Sequence, residues 1–363
     1  VRLIKAKQPG RPITVFIRGG EYFDSFSLSA QDSGSEDAPV TYRAYPGEKV
    51  TLTGGKRIAD DKISKVTDPA ILNRVLDPFT KSNLMQIDLS ADVSNIAPIG
   101  EFAYGITDGN FENQFEVYVN GAPLQKSRWP NDEPGTQYTY VTGVQGDNVD
   151  YKTSPATFTY QDDEGRTALW PEEALKNLWI EGHLAYSWAQ SKHAVASLNA
   201  ETKTITTKDK TAHRPTTENG KFYFFNLLEE IDMPGESYID RENKKVYFYP
   251  PCDMEEAEVV VPVSKTTLVS VSGASHIKIE GINMEYLFGS GLSVQSCDNV
   301  VVDGCTIAHT TNRAYINGTN NTIRNCYIYD SAYGGMNLSG GDRVSLTPGN
   351  NLAENNRIHS VNR

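Results

Sequence analysis

Four segments near the C-terminal end of the chain share one pattern: IEGINM (279–284), VDGCTI (302–307), IRNCYI (323–328) and AENNRI (353–358). Their third residues are separated by 23, 21 and 30 positions, and the longest interval contains a Gly- and Pro-rich excursion, 340–350. A second set, GLSV (291–294), AYIN (314–317) and GMNL (335–338), recurs at 23 and 21 positions. Because both sets of segments recur at nearly the same spacing, they indicate a structural repeat of about 21 to 22 residues.

Short apolar strands separated by Gly, Asn and Asp at this period predict a solenoid whose repeats stack strand on strand. Leucine-rich repeats have this length, but Ile, Val, Cys and Met fill the frame here. The pattern therefore predicts a parallel β-helix, with left-handed backbone at the Gly and Asn of the third position. Three inward stacks follow: Ile279, Val302, Ile323 and Ala353; Ile282, Cys305, Cys326 and Asn356; Met284, Ile307, Ile328 and Ile358.

Cys252, Cys297, Cys305 and Cys326 are too few and too irregularly spaced for a disulfide framework or a zinc motif. We interpret them mainly as packing residues and expect no metal site. A disulfide between Cys305 and Cys326 is the alternative interpretation.

Outside the repeat, the sequence predicts three regions. Residues 1–58 predict the end of a capping helix and the first β-helix strands, with strand signals at 14–17, 41–45 and 50–53. Residues 59–254 lack the repeat and carry hairpin signals, such as 115–121 and 240–250, which predict an inserted antiparallel, sandwich-like β domain. Residues 255–363 predict the main coils.

Composition limits the classes of partner. The chain of 363 residues has 34 basic and 46 acidic side chains, a net charge of −12, and no run of Lys or Arg that would favour nucleic acid. No apolar stretch approaches the roughly 20 residues that cross a bilayer. The 19 Tyr and 4 Trp suit a neutral ligand that stacks on rings, such as a sugar.

Several longer motifs carry a more specific resemblance: VYVNG…SRWPN (117–131), WIEGHLAYSW (179–188), FNLLEEIDMPGESYIDR (225–241), SGGDR…LTPGNN (339–351) and ENNRIH (354–359). Over nearly its whole length the chain resembles bacterial β-helix enzymes of the glycoside hydrolase family 141 type. The resemblance implies a right-handed, pectate-lyase-like β-helix with an inserted β-sandwich. It also implies α-L-fucosidase or xylanase-type hydrolysis of a polysaccharide or oligosaccharide without a cofactor, and a secreted, periplasmic or cell-surface location.

One departure from that family concerns the catalytic acids. The family's β-helix continues for several more coils, and its catalytic aspartates are expected there, beyond Arg363. We therefore expect part of the catalytic machinery outside this sequence, and a C-terminal region or a partner that covers the open end of the β-helix.

Glycosidases use two carboxyl groups, about 5 to 5.5 Å apart when retaining and about 6.5 to 9.5 Å apart when inverting. Neighbouring coils lie about 4.8 Å apart, so side chains just after the third inward stack are candidates. Two columns follow that stack: Glu285, Ala308, Tyr329, His359 and Tyr286, His309, Asp330, Ser360. His309 and Asp330 are predicted to form a catalytic pair one coil apart, in which Asp330 would raise the pKa of His309. Glu285 and His359 are candidate substrate contacts, and backbone capping is the alternative role.

Asp342 and Arg343 lie in the excursion that interrupts the repeat. Loops that project from a rigid solenoid often form its binding groove, so Asp342 is a candidate acid or base and Arg343 a candidate substrate contact. An ion pair that closes the loop is the alternative.

Arg128 and Trp129 are further candidates for sugar binding, through hydrogen bonds and ring stacking. A Trp that covers a seam between domains is the alternative. Trp179, His183, Tyr186 and Trp188 alternate too imperfectly to decide between a buried core and a binding platform.

Two other functions remain open on this fold. A polysaccharide lyase or uronate epimerase would need basic residues or Ca²⁺ to neutralise a carboxylate, and the columns offer Arg343 and Arg357 without a cluster of Asp ligands. A non-catalytic carbohydrate-binding β-helix is the third possibility.

Overall fold

The computed structural model describes residues 1–100, the backbone of 102–103, and residues 115–146 and 150–362. The chain forms two compact units. Unit one comprises Val1–Arg57, Gln114–Pro123 and Val259–Arg363, and unit two comprises Ile58–Asn113 and Leu124–Glu258.

Unit one is built on three parallel sheets. The first sheet contains Ile13–Ile17, Val40–Ala44, Ile277–Glu280, Val301–Asp303, Thr322–Arg324 and Leu352–Glu354. The second sheet contains Gly20–Tyr22, Val50–Thr53, Ile282–Leu287, Thr306–Thr310, Tyr327–Ser331 and Arg357–Val361. The third sheet contains Phe26–Ser29, Val269–Ser272, Leu292–Asp298, Ala314–Thr319 and Met336–Ser339. Each coil contributes one strand to each sheet in turn, which confirms the predicted parallel β-helix.

The second coil is interrupted by the insertion. Its second-sheet strand ends at Thr53, and its third-sheet strand, Val269–Ser272, pairs in register with Phe26–Ser29 of the first coil. A small antiparallel sheet marks the interruption: Gly55–Arg57, Val259–Pro262, Tyr118–Val119 and Ala122–Pro123. The chain therefore leaves unit one after the second-sheet strand of this coil and re-enters it before the third-sheet strand.

The predicted inward stacks are present. Ile279, Val302 and Ile323 pair in register in the first sheet and are fully buried, and Met284, Ile307 and Ile328 do the same in the second sheet. In the last described coil, Ala353 and Ile358 keep the register but are exposed, because no described coil covers them.

The predicted left-handed column is also confirmed. Gly281, Gly304, Asn325 and Asn355 have φ values of 68°, 63°, 54° and 52°. The amide of Asn355 donates to Asn325 at 2.6 Å, and that of Asn325 donates to Asp303 at 2.8 Å. The two asparagines of the column thus form a hydrogen-bonded ladder that ends on Asp303.

All four cysteines are free thiols. Cys297, Cys305 and Cys326 are buried in the β-helix core, as expected for small apolar residues, and the disulfide alternative is not observed. Cys252 is exposed, so its interpretation as a packing residue was wrong. It follows Pro250 and Pro251 in a turn, where the backbone runs at the surface.

The N-terminal helix spans Arg2–Lys7. Arg2 forms an ion pair with Asp32 at 2.7 Å, and this pair lowers the pKa of Asp32 to about 2. The helix is thereby attached to the first coil.

Unit two contains two sheets. One consists of Ile63–Lys65, Met85–Asp88, Lys245–Phe248, Glu236–Asp240 and Gln125–Lys126, which pair antiparallel except for the last. The other consists of Arg128–Trp129, Lys221–Phe225, Thr139–Val144, Pro155–Tyr160, Thr204–Lys210, Ser191–Asn199, Trp179–His183 and Phe102–Ala103. Short helices span Pro69–Leu72, Pro78–Asn83 and Glu172–Leu175.

Both hairpin signals of the sequence correspond to hairpins. Glu236–Asp240 pairs antiparallel with Lys245–Phe248, and Tyr118–Val119 pairs with Ala122–Pro123. The second hairpin groups with unit one, which the sequence did not indicate. A sandwich-like packing of the sheets of unit two stays a prediction.

Candidate functional site

Four residues at one corner of the β-helix have left-handed backbone, just before the chain turns from the second sheet to the third. They are Tyr286, His309, Asp330 and Ser360, with φ values of 56°, 54°, 48° and 51°. None is a glycine, and a non-glycine residue in this region costs about 1 kcal/mol or more. The strand register skips them, since Glu285 pairs with Ala308 and Leu287 with Thr310. Because this backbone conformation recurs at the equivalent position of four successive coils, it places the four side chains in one row at this corner.

His309 lies at the centre of this corner and is only 4% exposed. Its ring is parallel to that of Tyr286, with the centroids 4.5 Å apart. The rings of Tyr118 and Tyr329 meet it edge to face at 5.0 Å and 5.2 Å. The imidazole is thus held in one orientation by three tyrosines.

The structure brings His309 and Asp330 together. Nδ1 of His309 lies 3.5 Å from Oδ2 of Asp330 on the next coil. This distance exceeds the usual 2.7–3.2 Å of an N–H···O hydrogen bond, so the pair is an electrostatic contact when the ring is protonated. A rigid imidazole beside a carboxylate can orient that carboxylate or stabilise its charge.

A neighbouring surface of aromatic rings lies on the outer face of the second sheet. Tyr327 and Tyr329 have ring centroids 4.6 Å apart, and His359 is nearly parallel to Tyr329 at 5.6 Å. Nε2 of His359 is hydrogen-bonded to the hydroxyl of Tyr327 at 2.7 Å, and its Nδ1 to Oγ of Ser360 at 3.0 Å. The guanidinium of Arg357 lies 5.2 Å from the ring of Tyr327. We call Tyr327, Tyr329 and His359 the ring surface.

Two carboxylates influence this surface. Burial raises the pKa of the Tyr329 hydroxyl, and the charges of Glu285 and Asp330 raise it further. Glu285 stands two coils before Tyr329 in the same column, with the small side chain of Ala308 between them. Glu285 and Asp330 therefore act on one phenol from different coils.

Two further site residues come from a distant part of the sequence. The ring of Tyr118 is fully buried against His309 and Tyr286, and its hydroxyl donates to Glu116 Oε2 at 2.5 Å. Sequence reasoning missed Glu116 and Tyr118 because they precede the repeat by more than 150 residues. The alternating segment FEVYVNG (115–121) predicts a strand, but nothing in it names the partner. Tyr286, Tyr327 and Tyr329 could have been found as aromatic members of the repeat columns.

Asp342 and Arg343 lie at a different corner, between the third and first sheets, and both are exposed. The Asp342 carboxylate accepts hydrogen bonds from the backbone N–H and hydroxyl of Ser345 at 2.6 Å and 2.7 Å, which lower its pKa. The backbones of Asp342 and Thr347 also exchange two hydrogen bonds. Among the described residues no ion pair joins Asp342 to Arg343. The structure thus places Asp342 in a loop-closing turn and does not bring it to His309.

Arg128 and Trp129 lie in unit two. Trp129 is half-buried and packs against Trp170 and Phe224 at 6.1 Å and 6.0 Å. Arg128 bonds the carbonyl oxygen of Pro130 at 2.9 Å, and its guanidinium lies 3.5 Å from the ring centroid of Tyr223. Both side chains contribute to the packing of unit two. Their predicted role in sugar binding stays a prediction.

Within the described residues, no group of three or more His, Cys, Asp and Glu side chains is arranged to hold a metal ion. No helix in the same part of the chain is both long and apolar enough to cross a membrane.

A family profile and one solved structure support the fold. The profile of a family described as "Right handed beta helix region" matches residues 267–363. A solved structure described as "Glycoside hydrolase" superposes with a TM-score of 0.70 at 18% identity, covering 99% of this chain and 68% of that chain. A complex of XylC with xylose has a TM-score of 0.44 at 14% identity, covering 96% of this chain and 48% of that one. No curated protein sequence matches the chain.

These findings define the class of protein. The chain is a right-handed parallel β-helix protein, as predicted, and its fold is like that of a solved glycoside hydrolase. At 18% identity the likeness concerns the fold, and it does not single out family 141.

Proposed function

We propose that this protein is a glycoside hydrolase that acts on plant or microbial polysaccharide, of the family 141 type, outside the cytoplasm. The observation that carries the proposal is the ring surface with two carboxylates beside it: Asp330 follows Tyr329 on the same coil, and Glu285 lies in the column of Tyr329 two coils before. Rings on a rigid scaffold offer a stacking face for a pyranose, and two carboxylates supply the acid and base of glycoside hydrolysis.

This proposal places both acids on the described coils, unlike the expectation from the family resemblance, which places catalytic aspartates beyond Arg363. One carboxylic acid protonates the glycosidic oxygen while the other carboxylate activates the attacking water. Glu285 and Asp330 belong to coils two apart, and coils are spaced about 4.8 Å, which gives a separation of about 10 Å between their backbone rows. The Asp330 carboxylate approaches His309 of the intervening coil to 3.5 Å, so it reaches toward the coil of Glu285, and the roughly 6.5–9.5 Å of inverting enzymes is the nearer spacing. The proposed outcome is inversion at the anomeric carbon. His309 is a positioning residue that fixes Asp330.

The first experiment is a hydrolysis screen on xylan, fucosylated pectin fragments and uronate polymers that follows new reducing ends. We expect Glu285→Gln and Asp330→Asn each to lower kcat at least 100-fold, the usual contribution of a general acid or base. Glu354→Gln is the matched control, because Glu354 is a half-exposed carboxylate on the first sheet of the same unit. Full activity in both site variants would refute the assignment of these carboxylates.

A polysaccharide lyase is the second candidate, because one observation favours it. Tyr327 and His359 form a hydrogen-bonded pair at 2.7 Å with Arg357 beside it. Such a pair can remove and return a proton while a cation neutralises a uronate carboxylate. Unsaturated product from the uronate polymers, lost in Tyr327→Phe, would replace hydrolysis by elimination.

A further inference from the structure

Unit two carries a pair of exposed aromatic rings outside the site just described. Tyr186 and Trp188 are 49% and 59% exposed. Their rings are within 6° of parallel, and their centroids are 5.1 Å apart. Trp188 is the most exposed of the four tryptophans of this unit, since Trp170 is buried and Trp129 and Trp179 are half-buried.

The two rings are held rigidly. Tyr186 and Trp188 belong to one tight turn, closed by a hydrogen bond from Ala189 N–H to the Tyr186 carbonyl oxygen at 2.9 Å. The imidazole of His213 meets both rings edge to face, at 5.3 Å and 5.7 Å. The adjoining segment is fixed as well, since Thr216 N–H donates to the Leu184 carbonyl oxygen at 2.9 Å and Leu184 is buried. A ligand would therefore meet a surface that is already ordered, which reduces the entropic cost of binding.

Polar groups lie beside the rings. A small depression next to the turn is lined partly by Gln190, which is exposed, and by His213, which is half-buried, whereas the Ser191 and Thr211 side chains that also line it are buried. Exposed aromatic area with a polar rim is typical of a ligand-binding surface. The aliphatic C–H face of a pyranose can stack on a tryptophan while its hydroxyls reach the amide of Gln190 and the imidazole of His213.

The charge of the protein selects among ligands that stack. A net charge of −12 disfavours the phosphate backbone that accompanies nucleobases. A neutral glycan meets no such repulsion.

We propose that Tyr186 and Trp188 form a second, non-catalytic carbohydrate-binding site in unit two, which takes a neutral pyranose unit of a polysaccharide. We call these two residues the ring platform. The site goes beyond the proposed hydrolysis and does not require it, since binding can be measured without turnover.

The test compares binding to insoluble xylan and to insoluble mannan for the full chain and for Trp188→Ala. We expect Trp188→Ala to weaken binding at least tenfold and Trp188→Phe to restore part of the loss. Tyr140→Ala is the matched control, because Tyr140 is also 49% exposed in unit two, outside the ring platform, and its removal should leave binding unchanged. Far-ultraviolet circular dichroism checks that each variant is folded.

Three results would overturn the proposal: wild-type protein that binds neither polysaccharide, Trp188→Ala that binds like wild type, or a wild-type dimer that Trp188→Ala dissociates. The last result would identify the ring platform as a self-association surface.

Asp330→Asn separates this test from that of the proposed function. It should abolish turnover and keep binding, whereas Trp188→Ala should lose binding and keep turnover of short soluble oligosaccharides. Failure of hydrolysis with intact, Trp188-dependent binding would reject only the enzyme assignment.

Discussion

The coils of unit one and the sheets of unit two are stabilised by contacts of different reach along the sequence. In the coils, each buried side chain packs on its equivalent one repeat away, as Val302 packs on Ile279 and Ile323. In unit two, buried charges pair over long separations: Arg74 with Glu229 at 2.7 Å, 155 positions apart, and Arg166 with Glu230 at 2.9 Å, 64 positions apart. Sequence periodicity can reveal contacts between equivalent residues of neighbouring coils. It gives no information about the long-range ion pairs of unit two.

If the two units differ in this way, single substitutions should lower the unfolding free energy most in unit two. Glu230 is fully buried and accepts hydrogen bonds from Arg166 and from the indole of Trp170. Burial raises the pKa of Glu230, although Arg166 opposes the shift. Arg166→Met would leave the carboxylate unpaired and should cost about 3–5 kcal/mol of unfolding free energy.

Tryptophan fluorescence during urea unfolding is the measurement, because Trp129, Trp170, Trp179 and Trp188 all belong to unit two. Lys176→Met is the control, since it breaks the exposed pair with Glu173 and should leave the midpoint unchanged. If Arg166→Met lowered the unfolding midpoint no more than the control does, the buried ion pairs would not distinguish unit two from the coils.

A second difference is the response of unit two to pH. Glu236 is 3% exposed, and burial raises its pKa to about 8 from an ordinary value of 4.5. Because the folded-state pKa is raised, its contribution is fully present below pH 4.5 and is lost as the pH rises through 8. The unfolding free energy should fall by on the order of 5 kcal/mol over this range.

Glu236→Gln stays neutral and should flatten this part of the profile when urea midpoints are measured from acidic to alkaline pH. Identical profiles for the variant and wild type would show that Glu236 does not titrate as described.

Substitutions in the coils of unit one should lower the unfolding free energy less than Arg166→Met does. Asn321 is fully buried, accepts the backbone N–H of Val300 at 2.9 Å and donates to the Cys297 carbonyl oxygen at 3.1 Å. Asn321→Ala leaves both backbone groups without these bonds and should cost about 2 kcal/mol. Far-ultraviolet circular dichroism reports the change, and Asn317→Ala, at a more exposed position, should cost less. A loss as large as that of Arg166→Met would contradict the contrast between the units.

The smallest effect is expected at the left-handed column. Asn325 is exposed and has a φ of 54°. Asn325→Val should cost about 1 kcal/mol because a β-branched residue is strained there, and Asn325→Gly should cost less. Equal urea midpoints for the two variants would show that the hydrogen-bonded ladder, rather than the backbone angle, decides the choice of residue.

The sequence predicted the structural features that recur in every coil. The three stacks, the left-handed column and the proximity of His309 to Asp330 all follow from a fixed spacing, because neighbours in sequence register are neighbours in space. The spacing also made Asp342 a plausible site residue, yet its carboxylate closes a turn with Ser345. Tyr118 could not be assigned to His309, since a lone strand carries no information about its partner. The exposure of Trp188 likewise depends on a turn whose direction no periodicity determines.

The strand pairing of unit one has a consequence for protein engineering. Tyr118–Val119, which covers His309, arrives from within the insertion and pairs with Val259–Pro262. An experimenter who excised the inserted region by joining Arg57 to Val259 would also remove this strand. The excised protein could retain every coil, but Tyr118 would no longer cover His309. The inserted region therefore cannot be removed or replaced as a whole without changing the surroundings of His309. A minimal β-helix variant should keep residues 115–123, joined to the coils by a linker.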